Sequence, residues 1–204
     1  QSKKGACQVK EALNIVWLKR DLRLQDHLPF FEAENNSKCN YLPIYIMEPS
    51  AMAYPDSSLR HLQFVYHSIL EMNSVLAAFS RKIQLLHGEA MDVFTVLSEK
   101  YDIQNVYSYQ ESGVKATWDR DKNISSLFKQ KGIKWTEFQR DGIIRGIKNR
   151  INWDKNWFAA VNSPLILNVY SHNAAPLKSF SFDLPESLEK SLQTYPDSLQ
   201  KPGE

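Results

Sequence analysis

Leu13-Asn-Ile-Val-Trp-Leu-Lys-Arg-Asp-Leu-Arg-Leu-Gln-Asp-His27 is the stretch that decides the fold. Its first six residues, apolar but for one asparagine, have the length and composition of a short buried strand. The rest is a charged loop with no glycine. Four more apolar runs of similar length follow: Tyr41-Leu-Pro-Ile-Tyr-Ile-Met47, Lys82-Ile-Gln-Leu-Leu-His87, Ile103-Gln-Asn-Val-Tyr-Ser-Tyr109 and Ile133-Lys-Trp-Thr-Glu-Phe138. Each matches a strand of an α/β protein.

Helical patterns lie between these runs. Leu59, Leu62, Val65, Ile69, Met72, Leu76 and Phe79 recur in steps of three and four, one stripe on a long helix. Asp56 or Ser57 is its expected N-cap. Val93, Phe94, Leu97 and Tyr101 mark a short helix. Trp118, Ile124, Leu127 and Phe128 mark another, stopped by Gly132 in the C-cap position. Pro29 belongs in the first turn of a short helix over 29–33. The alternation predicts an α/β, Rossmann-like (flavodoxin-like) fold. It has a five-stranded parallel sheet of order 3-2-1-4-5, right-handed crossovers and helices on both faces.

The chain has 204 residues, or about 1.4 domains at ~150 residues each. Residues 13–163 account for one α/β domain. Residues 1–12 read as a disordered or tag-like start. Five of the nine prolines lie beyond Ser163, mixed with Ser and Asn. Residues 164–204 therefore read as a linker or extended wrapping segment, with Leu165, Ile166, Leu167 and Val169 expected to pack on the domain surface.

Composition excludes several classes. A formal net charge of +2 names no partner by field alone. Cys7 and Cys39 give neither a disulfide framework nor a metal spacing, and fit reduced thiols in a cytoplasmic protein. No apolar run approaches the ~18 residues of a membrane span, and the first residues hold no secretory h-region. The five histidines (27, 61, 67, 87 and 172) show no metal-ligand spacing. G-x-S-x-G and CxxC are both missing. No catalytic residue and no metal is assigned.

Ligands of open parallel sheets bind beyond the carboxyl ends of the strands, where the strand order reverses. Here that is between the first and fourth strands, facing loops 19–27 and 110–113. Without glycines, loop 19–27 suits neither a dinucleotide pyrophosphate nor a P-loop. Its Arg20, Asp21, Arg23 and Asp26 either shape the loop through ion pairs or touch a ligand directly. Gly113 permits a tight turn. Tyr109, Gln110, Glu111 and Trp118 suit a flat heteroaromatic ligand, or else form an exposed loop and core packing. Residues 115–155 hold eleven Lys/Arg against five Asp/Glu. Arg140, Arg145, Lys148 and Arg150 cluster there, near Trp153 and Trp157. The interspersed acids favour a solvated or interdomain face over a nucleic-acid patch.

Val16-Trp-Leu-Lys-Arg-Asp-Leu-Arg-Leu-Gln-Asp26 resembles the opening strand and loop of the DNA photolyase/cryptochrome family, roughly V-W-F-R-R-D-L-R-L-x-D. Lys19 stands where Arg is common. Pro43-Ile-Tyr-Ile-Met-Glu-Pro49 is similar to the family's second strand, with Glu48 for the usual Asp. Glu111-Ser-Gly113, Trp118-Asp-Arg-Asp121 and Arg140-Asp-Gly-Ile-Ile-Arg145 look like a bacterial branch. The resemblance covers about residues 13–164. It implies the N-terminal antenna domain of a light-dependent DNA repair flavoprotein, binding a pterin, deazaflavin or flavin pigment. In the family a C-terminal helical domain, which these residues do not include, binds FAD and the flipped-out lesion. That domain, and damaged DNA through it, are the implied partners; no membrane is. By position the antenna residues are Lys19, Arg20, Asp21, Met47, Glu48, Gln110 and Glu111. The 204 residues alone are expected to lack lyase activity. The alternatives are a cryptochrome-type light sensor and a free-standing nucleotide- or flavin-binding domain.

Overall fold

The computed structural model describes residues 9–36, 38–140, 142, 149–171 and 182–194. Five strands form one parallel sheet: β1 (Glu11–Leu18), β2 (Tyr41–Met47), β3 (Gln84–His87), β4 (Tyr101–Tyr109) and β5 (Lys134–Phe138). Their order is β3-β2-β1-β4-β5, as expected. The central strand is the one that decided the fold. Leu13, Ile15 and Trp17 point to one face, and Val16 and Leu18 to the other. A strand covered on both faces must be apolar at every position, which erases the alternation of a half-exposed strand.

Helices cover both faces. Phe30 and Ala33 of α1 (Leu28–Asn35) and Ile69, Met72 and Leu76 of α3 (Leu59–Leu76) pack one side. Val93, Phe94 and Leu97 of α4 (Ala90–Lys100) and Ile124, Leu127 and Phe128 of α5 (Lys115–Lys131) pack the other. A single turn, α2 (Pro49–Met52), follows β2. Ser58, rather than Asp56 or Ser57, caps α3. Tyr101 begins β4 instead of closing the α4 stripe, because α4 ends at Lys100 with no intervening loop. Gly132 ends α5 at φ +71°, a conformation costing other residues about 1–2 kcal/mol. Gly132→Ala is thus expected to lower the melting temperature by about 2–8 °C, measurable by circular dichroism.

Two further helices follow the sheet among the described residues. α6 (Trp153–Val161) and α7 (Glu186–Gln193) are helices that the sequence reading did not anticipate. Leu184, Leu188 and Leu192 sit against Met47, Tyr66 and Leu62. Between the two helices runs an extended strap, residues 164–171. Its anchors differ from those expected: Leu165, Leu167 and Val169 are exposed, while Asn168 and Tyr170 are buried. The strap is held by hydrogen bonds, so its polar and aromatic residues face inward. Cys7, Arg145, Lys148, His172 and most of the N-terminal twelve residues lie outside the described residues. β1 itself begins at Glu11, two residues before the expected domain start.

Candidate chromophore cleft

The loop after β1 is knitted from within. The Asp21 carboxylate accepts the Lys19 backbone N–H at 2.9 Å and meets His27 Nε2 at 2.6 Å. His27 Nδ1 accepts the Phe30 N–H at 3.2 Å, capping α1. An accepting Nδ1 leaves the proton on Nε2, which donates to Asp21. Burial works to raise the Asp21 carboxyl, but the His27 and Lys19 hydrogen bonds outweigh it and hold it below the usual carboxylate range. Arg23 pairs with Asp26 at 3.4 Å. Asp26 sits at φ +52°, where Asp is tolerated.

The strap completes this loop. Asn168 accepts the His27 N–H at 2.9 Å and donates to its carbonyl at 2.9 Å. Gln25 exchanges two hydrogen bonds with the Asn168 backbone. The Tyr170 hydroxyl donates to the Leu24 carbonyl at 2.6 Å.

Loops 19–27 and 110–113 do face each other, but their own charges close the crevice. Arg20 Nε donates to Glu111 Oε1 at 3.0 Å. The remaining void is about 10 Å³, room for about one water. Gly113 is not in a left-handed turn; its value is space. A Cβ there would lie 2.7 Å from Glu111 Oε1 and 3.0 Å from Arg20 Nη2, within the pair.

The open cleft lies to one side, over the ends of β1 to β4 where α2, α4 and α5 begin. It measures about 260 Å³, just under the usual range of small-molecule sites. Ala51, Ala90, Met91, Val114 and Ala116 supply apolar walls, and Tyr54 an aromatic edge. Arg20, Arg120, Glu48 and Glu89 supply charge. Glu89 is held by the Ser50 N–H and hydroxyl at 2.9 and 2.7 Å.

Arg120 organises the floor. It reaches Glu48 Oε1 at 2.6 Å, Asp121 Oδ1 at 2.8 Å and Glu111 Oε2 at 3.5 Å. Its guanidinium lies 5.0 Å from the Trp17 ring centroid. Lys19 Nζ pairs with Asp121 Oδ2 at 2.9 Å and sits 4.3 Å from the Trp17 ring centroid and 5.1 Å from that of Trp135. Burial lowers the Lys19 ammonium from its ordinary value, against the pull of Asp121. Burial likewise pushes the Glu48 carboxyl up despite Arg120 beside it. Glu48 Oε2 also accepts the Ala90 N–H at 3.3 Å, at the positive end of α4.

Of the seven residues expected at the antenna site, Arg20 and Glu48 line the open cleft. Lys19, Asp21, Gln110 and Glu111, with Arg20, surround the small void between the loops. Met47 is buried behind the cleft against Tyr66 and Leu192. Arg120 was missed, although the run Trp118-Asp-Arg-Asp121 contains it. Trp118 stands apart from the cleft, over a shallow surface with Asp121 and Trp135. The basic stretch around it is largely solvated: Lys115 and Lys122 both pair with Asp119, and Arg140 donates to the Arg20 carbonyl. Among the described residues no His/Cys/Asp/Glu group fits a metal, and no helix is long and apolar enough to cross a membrane.

A Salmonella typhimurium deoxyribodipyrimidine photo-lyase is 28% identical over 131 residues, 64% of this chain and 24% of that protein. A Synechocystis cryptochrome structure superposes with a TM-score of 0.72 at 15% identity, over 93% of this chain and 41% of that one. An archaeal photolyase from Sulfolobus tokodaii gives 0.67 at 18%, over 93% and 44%. The chain thus spans between a quarter and under half the length of these relatives. The DNA photolyase family model matches residues 14–147, from the second half of β1 past β5, and the chain belongs to that family.

Proposed function

We propose that this chain is the light-harvesting, chromophore-binding domain of a photolyase-like, light-dependent DNA repair flavoprotein. The observation that carries the reading is the cleft of about 260 Å³ at the carboxyl end of the sheet, in a chain of this family. Its apolar walls suit a flat ring system, and Arg20, Arg120 and Glu89 suit the polar rim of one. A pterin, deazaflavin or flavin fits that chemistry. The Sulfolobus tokodaii photolyase was determined with two FAD molecules and the implication of a novel light-harvesting cofactor, which supports the flavin choice. The pigment supplies light absorption, and the protein supplies position and electrostatics. FAD chemistry and contact with damaged DNA belong to a helical second domain, and the protein works in the cytoplasm.

The test is a fluorescence titration of the chain with FMN, FAD, a reduced folate and a deazaflavin. Trp17 lies against Arg120 at the cleft floor, so its emission should be quenched as one pigment binds. Ala116→Trp should fill the cleft and weaken that binding by at least ~10-fold, a steric cost above 1.4 kcal/mol. Equal binding by the variant would move the site elsewhere. Tight binding of ATP alone would instead favour a free-standing nucleotide domain. Light-dependent partner binding without repair by the longer protein would favour a cryptochrome-type sensor.

The 204 residues alone are expected to show no light-dependent repair of pyrimidine dimers. A DNA repair assay with the purified chain checks this; repair above background would overturn it.

A further inference from the structure

A second cavity lies at the amino end of the sheet, across the domain from the chromophore cleft. It measures about 430 Å³, within the range of small-molecule sites. Four separate segments build its walls: the last turn of α1, residues 39–41 entering β2, Arg81 ahead of β3, and Ser171 at the end of the strap. Parallel sheets place their usual ligands at the carboxyl ends of the strands, so the fold by itself asks for no site here.

Arg81 marks it. The side chain is 3% exposed, and a cation so buried needs partners. Its Nε sits 3.1 Å from Glu34 Oε1 and donates to the Ser171 carbonyl at 3.2 Å. Nη2 donates to the Ser171 hydroxyl at 3.0 Å. The guanidinium carbon lies 4.1 Å from the Tyr41 ring centroid. Nη1 is buried and has no hydrogen-bond partner. It carries two N–H bonds, and buried donors in native proteins are nearly always met by protein, water or ligand.

Glu34 is already spent on other donors. Its Oε1 accepts the Tyr41 hydroxyl at 2.6 Å, and its Oε2 accepts the Ser171 hydroxyl at 2.8 Å and the Ser171 N–H at 3.3 Å. The missing partner of Nη1 is therefore an acceptor from outside the chain. Charge narrows its class. Glu34 offsets one unit of the Arg81 charge at close range, so a phosphate dianion would meet Glu34 as a strong like charge. A single carboxylate adds less repulsion and suits the planar guanidinium edge.

We propose that this cavity is a second ligand site, which takes a small molecule through one carboxylate on Arg81 Nη1. It is independent of the pigment reading, since no residue lines both cavities.

The test records nitrogen–proton correlation spectra of the 204-residue chain as benzoate is added. Amides of residues 33–36, 39–41 and 81 should shift, with a Kd of about 1 mM or tighter, ordinary for so small a probe. Amides of the chromophore cleft, 48–54 and 114–120, should stay in place. Arg81→Lys keeps a cation opposite Glu34 and loses Nη1, and should weaken binding at least ~10-fold. Cys39→Trp leaves Arg81 intact and fills the cavity from a half-buried position on its wall. It should weaken binding as much, and it carries the test if the lysine variant fails to fold. Benzyl alcohol, the same ring without the charge, should shift none of these amides. Inorganic phosphate should bind at least ~10-fold more weakly than benzoate. No shift with benzoate would leave Nη1 to water and Arg81 as a clamp on the strap, and would overturn the proposal. So would equal benzoate binding by either folded variant, or equal binding of benzyl alcohol or phosphate by the parent.

Discussion

Replacing Arg120 by methionine is expected to lower the melting temperature by on the order of 10 °C and to abolish pigment binding. The side chain joins Glu48, Asp121 and Glu111, each less than a tenth exposed. Methionine keeps much of the volume and removes the charge. Three buried carboxylates would then share a pocket that has lost the guanidinium bridging them, with Lys19 still paired to Asp121 and Arg20 to Glu111. Breaking a buried pair by removing one partner costs about 3–5 kcal/mol, because a charge is left uncompensated. At roughly 2–4 °C per kcal/mol for a chain of this size, the shift follows. Arg120→Lys should recover only part of it, since an ammonium cannot fork between Glu48 and Asp121. Circular dichroism melts of the two variants check the order. A methionine variant as stable as the parent would show that the carboxylates find water or protonate at no cost.

Asp21→Asn should cost about 2–4 kcal/mol, since hydrogen bonds to charged groups contribute roughly 1.5–3 each. The carboxylate takes the Lys19 N–H on one oxygen and the His27 Nε2–H on the other. An amide offers one oxygen, so one buried donor must face an NH₂ group. The two proteins should also differ in acid. The folded Asp21 carboxyl is held below its unfolded value. Its contribution is therefore fully present above the ordinary carboxylate pKa and is lost as pH falls through the lower, folded value. Denaturant midpoints should fall more steeply with acid in the parent than in the variant over that range. Parallel curves would mean that Asp21 does not carry the dependence.

The sheet was readable because β1 is buried on both faces and so carries an unbroken apolar run. The order of strands follows from chain connectivity and handedness, which a single sequence expresses. The site was readable only in part. Arg20, Asp21 and Glu111 announce themselves as charges near strand ends, but which charge neutralises which is a tertiary fact. Arg20 and Glu111 are 91 residues apart, and Arg120 and Glu48 are 72 apart. That pairing shut the crevice between β1 and β4 and left the opening beside it. α7 did leave a signal: Leu184, Leu188 and Leu192 recur at steps of four. It is two turns long, and surrounding prolines masked it. α6 left a weaker one, because its apolar residues are not arranged toward this domain's core.

The bonds between the strap and the first loop also bear on when the molecule can assemble. Gln25 and Asn168 are 143 residues apart, and Leu24 and Tyr170 are 146 apart. Contacts of such separation demand late loop closure and slow a folding chain. On a ribosome, the loop that begins the domain must wait for nearly all of it to emerge before His27, Asn168 and Tyr170 can meet. At about 5–20 residues per second, that is a delay on the order of ten seconds. During it β1 can pair with β2, while the loop at the cleft floor is still unsecured. The first loop of the sheet domain is thus among the last of its parts to reach its final form.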